Sequence, residues 1–307
     1  MNVTLRQLRA LVTVAETTSF RVAAERLNLT PSAVSLLIKE LEAAVGIALF
    51  VRSTRRVALS HAGAEFLPHA SQVLQDLERA LTSAQGLRSI RRGRIRLACT
   101  QLYAATLLPP VLASYRAKYP DIEVALLDSL NQQALQRVST AEADIGIAPQ
   151  RPTPSNVEST TLFRDAIVLF CPKDHRLAAK RSVSWSQLLG EPFVSLTQDF
   201  TTRLQADLLR HSDALQLQPA FNVNFVTTAF GMVRAGYGVT AQPDVSTSLA
   251  VPFELERRRL INPVVYRHLC LYQRKDEQLS PAAQSFIEHL QTSLGSARSG
   301  SARGATS

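Results

Sequence analysis

The chain has 307 residues, 46% hydrophobic and 19% charged, which is enough for two domains with separate cores. Lys and Arg number 34 against 25 Asp and Glu, a formal net charge of +9, so a polyanionic partner is the first expectation. The N-terminus interrupts its apolar pattern with Arg6, Arg9 and Glu16, and no apolar run reaches the ~20 residues a bilayer requires, which argues against a signal peptide and a membrane role.

Taken in order, Thr4 to about Glu16 reads as a helix with Leu5, Leu8, Leu11, Val12 and Ala15 on one side. Ser19 caps a short second helix whose inner face is Phe20, Ala23, Ala24 and Leu27. After a three-residue turn, Thr30 caps and Pro31 opens a third helix with Val34, Leu37, Ile38 and Leu41 on its buried face. Two short helices across a tight turn make a helix-turn-helix, whose second helix enters the major groove. The outward face of that helix carries Ser32, Ser35, Leu36 and Lys39. Thr30, Ser32 and Ser35 suit phosphates or base edges, Lys39 a phosphate, and Leu36 a thymine methyl. Residues 49–51 and 57–59 form a hairpin around Arg52, Ser53, Thr54, Arg55 and Arg56, a basic wing for the DNA backbone. Residues 1–60 hold eight cations, Arg21 among them, and four anions. A protein-binding three-helix bundle is the competing reading of this module.

The segment SFRVAAERLNLTPSAVSLLIKELEAAVGIALFVRSTRRVALSHAG resembles the N-terminal signature of the LysR-type transcriptional regulators. The match runs through Ser19-Phe20, Ala23-Ala24-Glu25-Arg26-Leu27, Ser35, Ile38, Leu41-Glu42, Gly46, Leu49-Phe50, Arg52, Arg55, Leu59 and Ala62-Gly63. Many members of that family carry Gln and Arg on the recognition helix where this chain has Pro31 or Ser32, and Leu36. Base readout here therefore leans on apolar and hydroxyl contacts.

Residues 61 to about 92 read as a linker helix with a stripe that includes Phe66, Ala70, Val73, Leu77, Leu81 and Ala84. Its own chain could cover the stripe. A second copy of the helix is the expectation, and the resemblance implies the same dimerising role. A dimer presents two recognition helices to half-sites about 34–36 Å apart, or a multiple.

From residue 93 the pattern changes to strand–helix alternation, which predicts α/β units with a largely parallel sheet. RIRLACT, IEVALLD, DIGIAP, FRDAIVLFCP, PFVSL, FNVNFV, GVTAQP and VVYRHLCLYQR are the expected strands. ADIGIA, LFRDAIVLFCPKDHRLA, AGYGVTAQP and LSPAAQSFIEHL resemble the LysR effector-binding domain, itself similar to the type 2 periplasmic binding-protein fold. The expected fold is thus an all-α winged helix-turn-helix, a linker helix, and a two-lobed α/β domain over 93–292. Its lobes are expected near 93–162 with 268–292, and 163–267. Residues 293–307 are small, polar and basic, and are expected to be disordered.

The resemblance implies a small effector between the lobes. Polar residues beyond the strand ends are Thr100, Gln101, Ser195, Thr197, Gln198, Thr227 and Thr228, with Thr100 and Thr197 the best candidates by family analogy. Helix N-termini among them favour a small anion, although Ser and Thr at such positions also serve as caps. No cofactor is expected. Cys99, Cys171 and Cys270 are not spaced for zinc and read as buried thiols of a cytoplasmic protein, while a redox switch would need two of them to meet in space. An enzyme and a periplasmic receptor are the rivals. The first lacks a P-loop, G-x-S-x-G or G-x-G-x-x-G, and the second leaves the N-terminal module unexplained. The expected partners are promoter DNA, the effector, a second copy or a tetramer of this chain, and RNA polymerase.

Overall fold

The computed structural model describes residues 3–52, 57–86, 93–196, 198–275 and 277–301. The chain forms two compact units, Met1–Gly93 with Thr140–Glu142, and Arg94–Ser139 with Ala143–Ser307.

The first unit comprises α1 (Leu5–Thr17), α2 (Phe20–Leu27), α3 (Pro31–Val45), the two-stranded wing β1 (Phe50–Arg52) and β2 (Val57–Leu59), and α4 (His61–Gly86). The expected caps at Ser19 and Thr30 are made, their hydroxyls accepting from the Val22 and Ala33 amides, and Thr4 caps α1 by accepting from the Gln7 amide. Asn28 and Gly46 close α2 and α3 in the left-handed conformation. Ala23 and Ala24 are fully buried, and their small side chains let α3 cross closely onto a core of Leu8, Leu11, Val14, Val34, Ile38 and Leu41.

The second unit begins with β3 (Gly93–Thr100), α5 (Gln101–Thr106), α6 (Leu108–Lys118), β4 (Ile122–Ser129), α7 (Asn131–Ser139) and β5 (Ile145–Pro149). Next come β6 (Val157–Pro172), β7 (Ser182–Ser184), β8 (Phe193–Leu196), α8 (Gln198–Leu209), β9 (Pro219–Val223), α9 (Val226–Arg234) and β10 (Thr240–Pro243). The last elements are α10 (Thr247–Ala250), β11 (Leu255–Ile261), β12 (Tyr266–Arg274) and α11 (Pro281–Ser301).

The sheet is mixed, correcting the largely parallel one expected. Strand order is β4-β3-β5-β12-β6-β11-β7, with β10 also on β6. The β3–β5 and β11–β7 pairs are parallel, while β12 is antiparallel to β5 and β6, and β10 and β11 are antiparallel to β6. The cause is that β6 and β12 are long strands shared by both lobes. Leu269 and Leu271 of β12 pack with Ile95, Tyr103, Tyr115 and Phe286 in one core, and Ile167 and Leu169 of β6 with Trp185 and Leu204 in another.

Two further expectations are revised. Helix α11 extends to Ser301, into the segment read as a tail, with Phe286, Leu290 and Leu294 on the first core. Gly295 and Gly300 each cost only about 1 kcal/mol in a helix, too little to end it. Residues 302–307 lie outside the described residues. β11 was invisible in the sequence pattern because its LERRRLI run reads as a polar loop. Arg257 is satisfied by Asp244 at 2.5 and 2.6 Å, and Arg258 by Glu256 at 2.9 Å and the Ala178 carbonyl at 2.7 Å.

Candidate nucleic-acid interface and ligand cleft

On α3, the alternation of buried Val34, Ile38 and Leu41 turns the other side outward. Thr30, Pro31, Ser32 and Lys39 are exposed, Ser35 half-buried, and Leu36 is 56% exposed. The Thr30 hydroxyl is already engaged, with the Ala33 amide at 3.2 Å and the Ser32 hydroxyl at 3.0 Å, so it acts at least as a cap. Arg21 is exposed and paired with Glu25 at 3.3 Å, a surface ion pair worth little and easily exchanged for a phosphate. Arg55, Arg56 and the side chain of Arg52 lie outside the described residues.

The wing is tied to α3 by one carboxylate. Glu42 Oε1 accepts the Leu49 amide at 2.8 Å and the Phe50 amide at 3.1 Å, so the hairpin leaves α3 at a fixed angle. The Ser60 hydroxyl donates to the Ala48 carbonyl at 2.6 Å and accepts the Gly63 amide at 3.0 Å, which joins wing and α4.

The stripe on α4 is divided. Ala70 is buried, and Phe66, Leu67 and Leu74 pack against the core of their own unit, so Phe66 and Ala70 are not free for a partner helix. The periodicity of one helix cannot tell an intrachain neighbour from a second copy; here α1 covers that half. Val73 is 48% and Leu81 54% exposed, and Leu77 is half-buried. Leu74, Leu77 and Leu81 line a hollow with Arg9, Val12 and Glu16 of α1. The side chain of Ala84 lies outside the described residues.

In the second unit the strand ends enclose a cleft of about 980 Å³, lined by residues from β3, α5, β8, α8, β9, α9 and β12. Thr100, Gln101 and Thr227 line it. Thr100 is 3% exposed and stands at the N-cap of α5, yet its hydroxyl makes no capping bond and has no partner among the described residues. Ser195 does not line the cleft. It is fully buried and hydrogen-bonded to the Thr201 hydroxyl, because the inward face of β8 turns it into the lobe. Thr228 is exposed but one position further round α9, outside the lining. Thr197 and the side chain of Gln198 lie outside the described residues.

Sequence reasoning missed the cations of this cleft. Arg151, Arg203 and Arg267 line it, and no Asp or Glu is among the described lining residues. Arg203 donates to the Gln150 carbonyl at 2.5 Å, and Arg267 Nη1 to Asp207 at 2.5 Å. The signal was present: Arg267 stands in a strand with an apolar centre, Leu269–Tyr272, and Asp165 lies opposite it in the β12–β6 register. Tyr103, 1% exposed, faces the same space. Burial, with Asp165 and Cys99 nearby, pushes its phenol well above the usual range, so it stays protonated and able to donate.

The three thiols are buried and unpaired. Burial raises the Cys99 and Cys270 thiols and pushes Cys171 to about 11. Among the described residues no group of three metal-ligating side chains occurs, and no helix is long and apolar enough to cross a membrane.

A winged helix-turn-helix and a two-lobed α/β unit with a central cleft, in one chain, define a DNA-binding transcriptional regulator. Two family models match: a bacterial regulatory helix-turn-helix protein, lysR family, over residues 5–64, and a LysR substrate binding domain over residues 88–295. The uncharacterized HTH-type transcriptional regulator YbhD of Escherichia coli (strain K12) is 32% identical over 283 residues, covering 92% of this chain and 89% of that protein. Full-length CbnR in complex with its target DNA superposes with a TM-score of 0.74 at 19% identity, covering 94% of this chain and 99% of that one. Full-length OxyR from Pseudomonas aeruginosa superposes with a TM-score of 0.71 at 23% identity, covering 96% and 95%. These two likenesses concern the fold. The chain belongs to the LysR family of transcriptional regulators, and its relatives are regulators, not enzymes.

Proposed function

We propose that this regulator works in the cytoplasm as a dimer, or a tetramer of two dimers, on promoter DNA, and responds to a small anion held in the cleft of its second unit. No cofactor enters the reading. The observation that carries it is the cleft lining, with three arginines, two polar hydroxyl residues at strand ends and no carboxylate among its described residues. A cation-rich wall attracts an anion and repels a cationic metabolite. Val73, Leu77 and Leu81 supply the apolar face for a second α4, replacing the wider stripe. Two α3 helices, each presenting Ser32, Ser35, Leu36 and Lys39, would then face successive half-sites.

Regulation requires that the anion prefer one arrangement of the lobes; a ligand bound equally well in both shifts nothing. The preferred arrangement would alter the spacing of the DNA-binding units, the bend of the promoter and the recruitment of RNA polymerase. The test is a footprint on the promoter region beside the gene, with and without candidate carboxylates, sulfate and phosphate, joined to light scattering of the free protein. An anion that changes the footprint supports the reading. A neutral or cationic metabolite that binds tighter, or a monomer in solution, overturns it.

A further inference from the structure

Three residues that line the cleft, on three elements, carry four buried donors. Thr100 Oγ1 at the end of β3, the Tyr103 hydroxyl on α5, and Nε and Nη2 of Arg267 on β12 have no hydrogen-bond partner among the described residues. Arg267 is held on its other side, with Nη1 on Asp207 at 2.5 Å and the guanidinium 5.6 Å from the ring centroid of Phe200. The unused edge, Nε with Nη2, is the fork that grips both oxygens of a carboxylate. The same protein uses that edge twice elsewhere. Arg257 Nε and Nη2 hold the two oxygens of Asp244 at 2.5 and 2.6 Å, and Arg96 Nε and Nη2 hold Asp144 at 3.4 and 2.6 Å. Arg267 is the same half-pair without its other half. Guanidinium has no acceptor capacity, and a buried donor left without an acceptor is costly, so the group calls for an acceptor from outside the chain.

We propose that the effector is an organic carboxylate with an apolar body, its carboxylate on the Nε–Nη2 edge of Arg267 and under the Tyr103 and Thr100 hydroxyls. The inference rests on the cleft being the effector site. Two N–H groups and two hydroxyls match the roughly four lone-pair positions of one carboxylate. Leu102, Leu130, Leu196, Phe200, Val226 and Leu249 give the cleft an apolar wall, beside a polar one that includes Gln132, Gln133, Asn222 and Asn224. An inorganic oxyanion would fill a small part of about 980 Å³ and leave these walls wet. An apolar chain or ring on the carboxylate covers them.

The experiment is calorimetric titration of the full-length protein with acetate, butyrate, phenylacetate and 3-phenylpropionate, their primary amides, and sulfate. The expected result is affinity that rises from acetate to the phenyl acids, with each phenyl acid preferred over its amide by about 10- to 100-fold. Arg267→Gln and Arg267→Lys should bring the acid-to-amide ratio close to one, and Tyr103→Phe should lower it in part. A merely structural role for Arg267 would weaken acid and amide alike and leave the ratio unchanged. Leu130→Trp, at a 51% exposed position on the rim, fills the cleft without touching the anchor. If Leu130→Trp abolishes binding while the ratio survives in Arg267→Gln, the cleft reading stands and the carboxylate anchor falls. If acids bind Leu130→Trp normally, the cleft reading itself falls. Sulfate binding tighter than every acid, or no acid binding at 10 mM (about the weakest range calorimetry reads), also overturns the proposal.

Discussion

Gly63→Ala separates a structural argument from a propensity argument because the two give opposite signs. Gly63 lies in the first turn of α4, where helix propensity alone promises about 1 kcal/mol of stabilisation for Ala. A Cβ at that position, however, would meet the Leu49 carbonyl oxygen at 2.0 Å, its carbon at 2.9 Å and Leu59 Cδ2 at 3.1 Å. The carbonyl cannot withdraw. It accepts the Ser60 amide at 2.9 Å, while the Leu49 amide is held by Glu42 at 2.8 Å and its side chain is fully buried. The helix start must instead back away by about 1 Å, which strains the packing and loosens the Ser60 cap, for a net cost of about 1–3 kcal/mol. For a unit of this size that lowers its melting by roughly 5–15 °C. Gly295→Ala, in α11 with nothing within 4 Å of the added carbon, is the control and should stabilise slightly. The assay is thermal melting of the full chain, joined to amide hydrogen exchange resolved over α1–α4. Protection in α1–α4 should fall about 10- to 100-fold in Gly63→Ala and stay level in Gly295→Ala. Equal or greater protection in Gly63→Ala would refute the reasoning and show that the wing–α4 junction yields freely.

Lys39→Ala should weaken binding to duplex DNA of any sequence and reduce the slope of log affinity against log salt by about one, whereas Leu36→Ala should change sequence preference with the slope intact. Val73→Asp with Leu81→Asp should shift the particle to smaller mass in sedimentation while leaving the melting of the first unit nearly unchanged. Ala70→Asp should unfold that unit, since Ala70 is 2% exposed. Native protein at pH 8 should resist iodoacetamide for many hours, since Cys171 at about 11 leaves about one thiolate in a thousand and Cys99 and Cys270 are also raised. All three thiols should react within minutes in urea.

The first unit was legible because its chemistry is local. Thr30 with Pro31, Ser19, and the Ala23–Ala24 pair each act within a few residues of where they stand, so spacing alone reveals them. Glu42 shows the limit: its place in the family signature was visible, but its task of holding the Leu49 and Phe50 amides depends on the wing folding back. The cleft was legible only in outline. Strand ends located Thr100, Gln101 and Thr227, because a strand end marks a position along the chain. Whether a residue there faces the cleft or the lobe depends on the twist of strands shared by two lobes, which sent Ser195 inward. Arg267 required the pairing of β12 with β6 and the approach of Asp207 from α8, three segments far apart in sequence.

The same contrast bears on how the molecule acquires specificity. The outward side chains of α3 include short hydroxyls, one Leu and one Lys, and the helix has no Arg, Asn or Gln to make a planar two-bond contact with a base. Discrimination by such a face must come from methyl contacts, hydroxyls and the placement of two copies, each term modest. In the cleft the reverse holds, since Arg267 carries an unused fork beside two unpartnered hydroxyls. With the proposed anchor in place, such a regulator would read DNA loosely through each helix and its ligand strictly through Arg267. On the function proposed above, the ligand would determine when two weak base readers are set at the spacing at which they bind together.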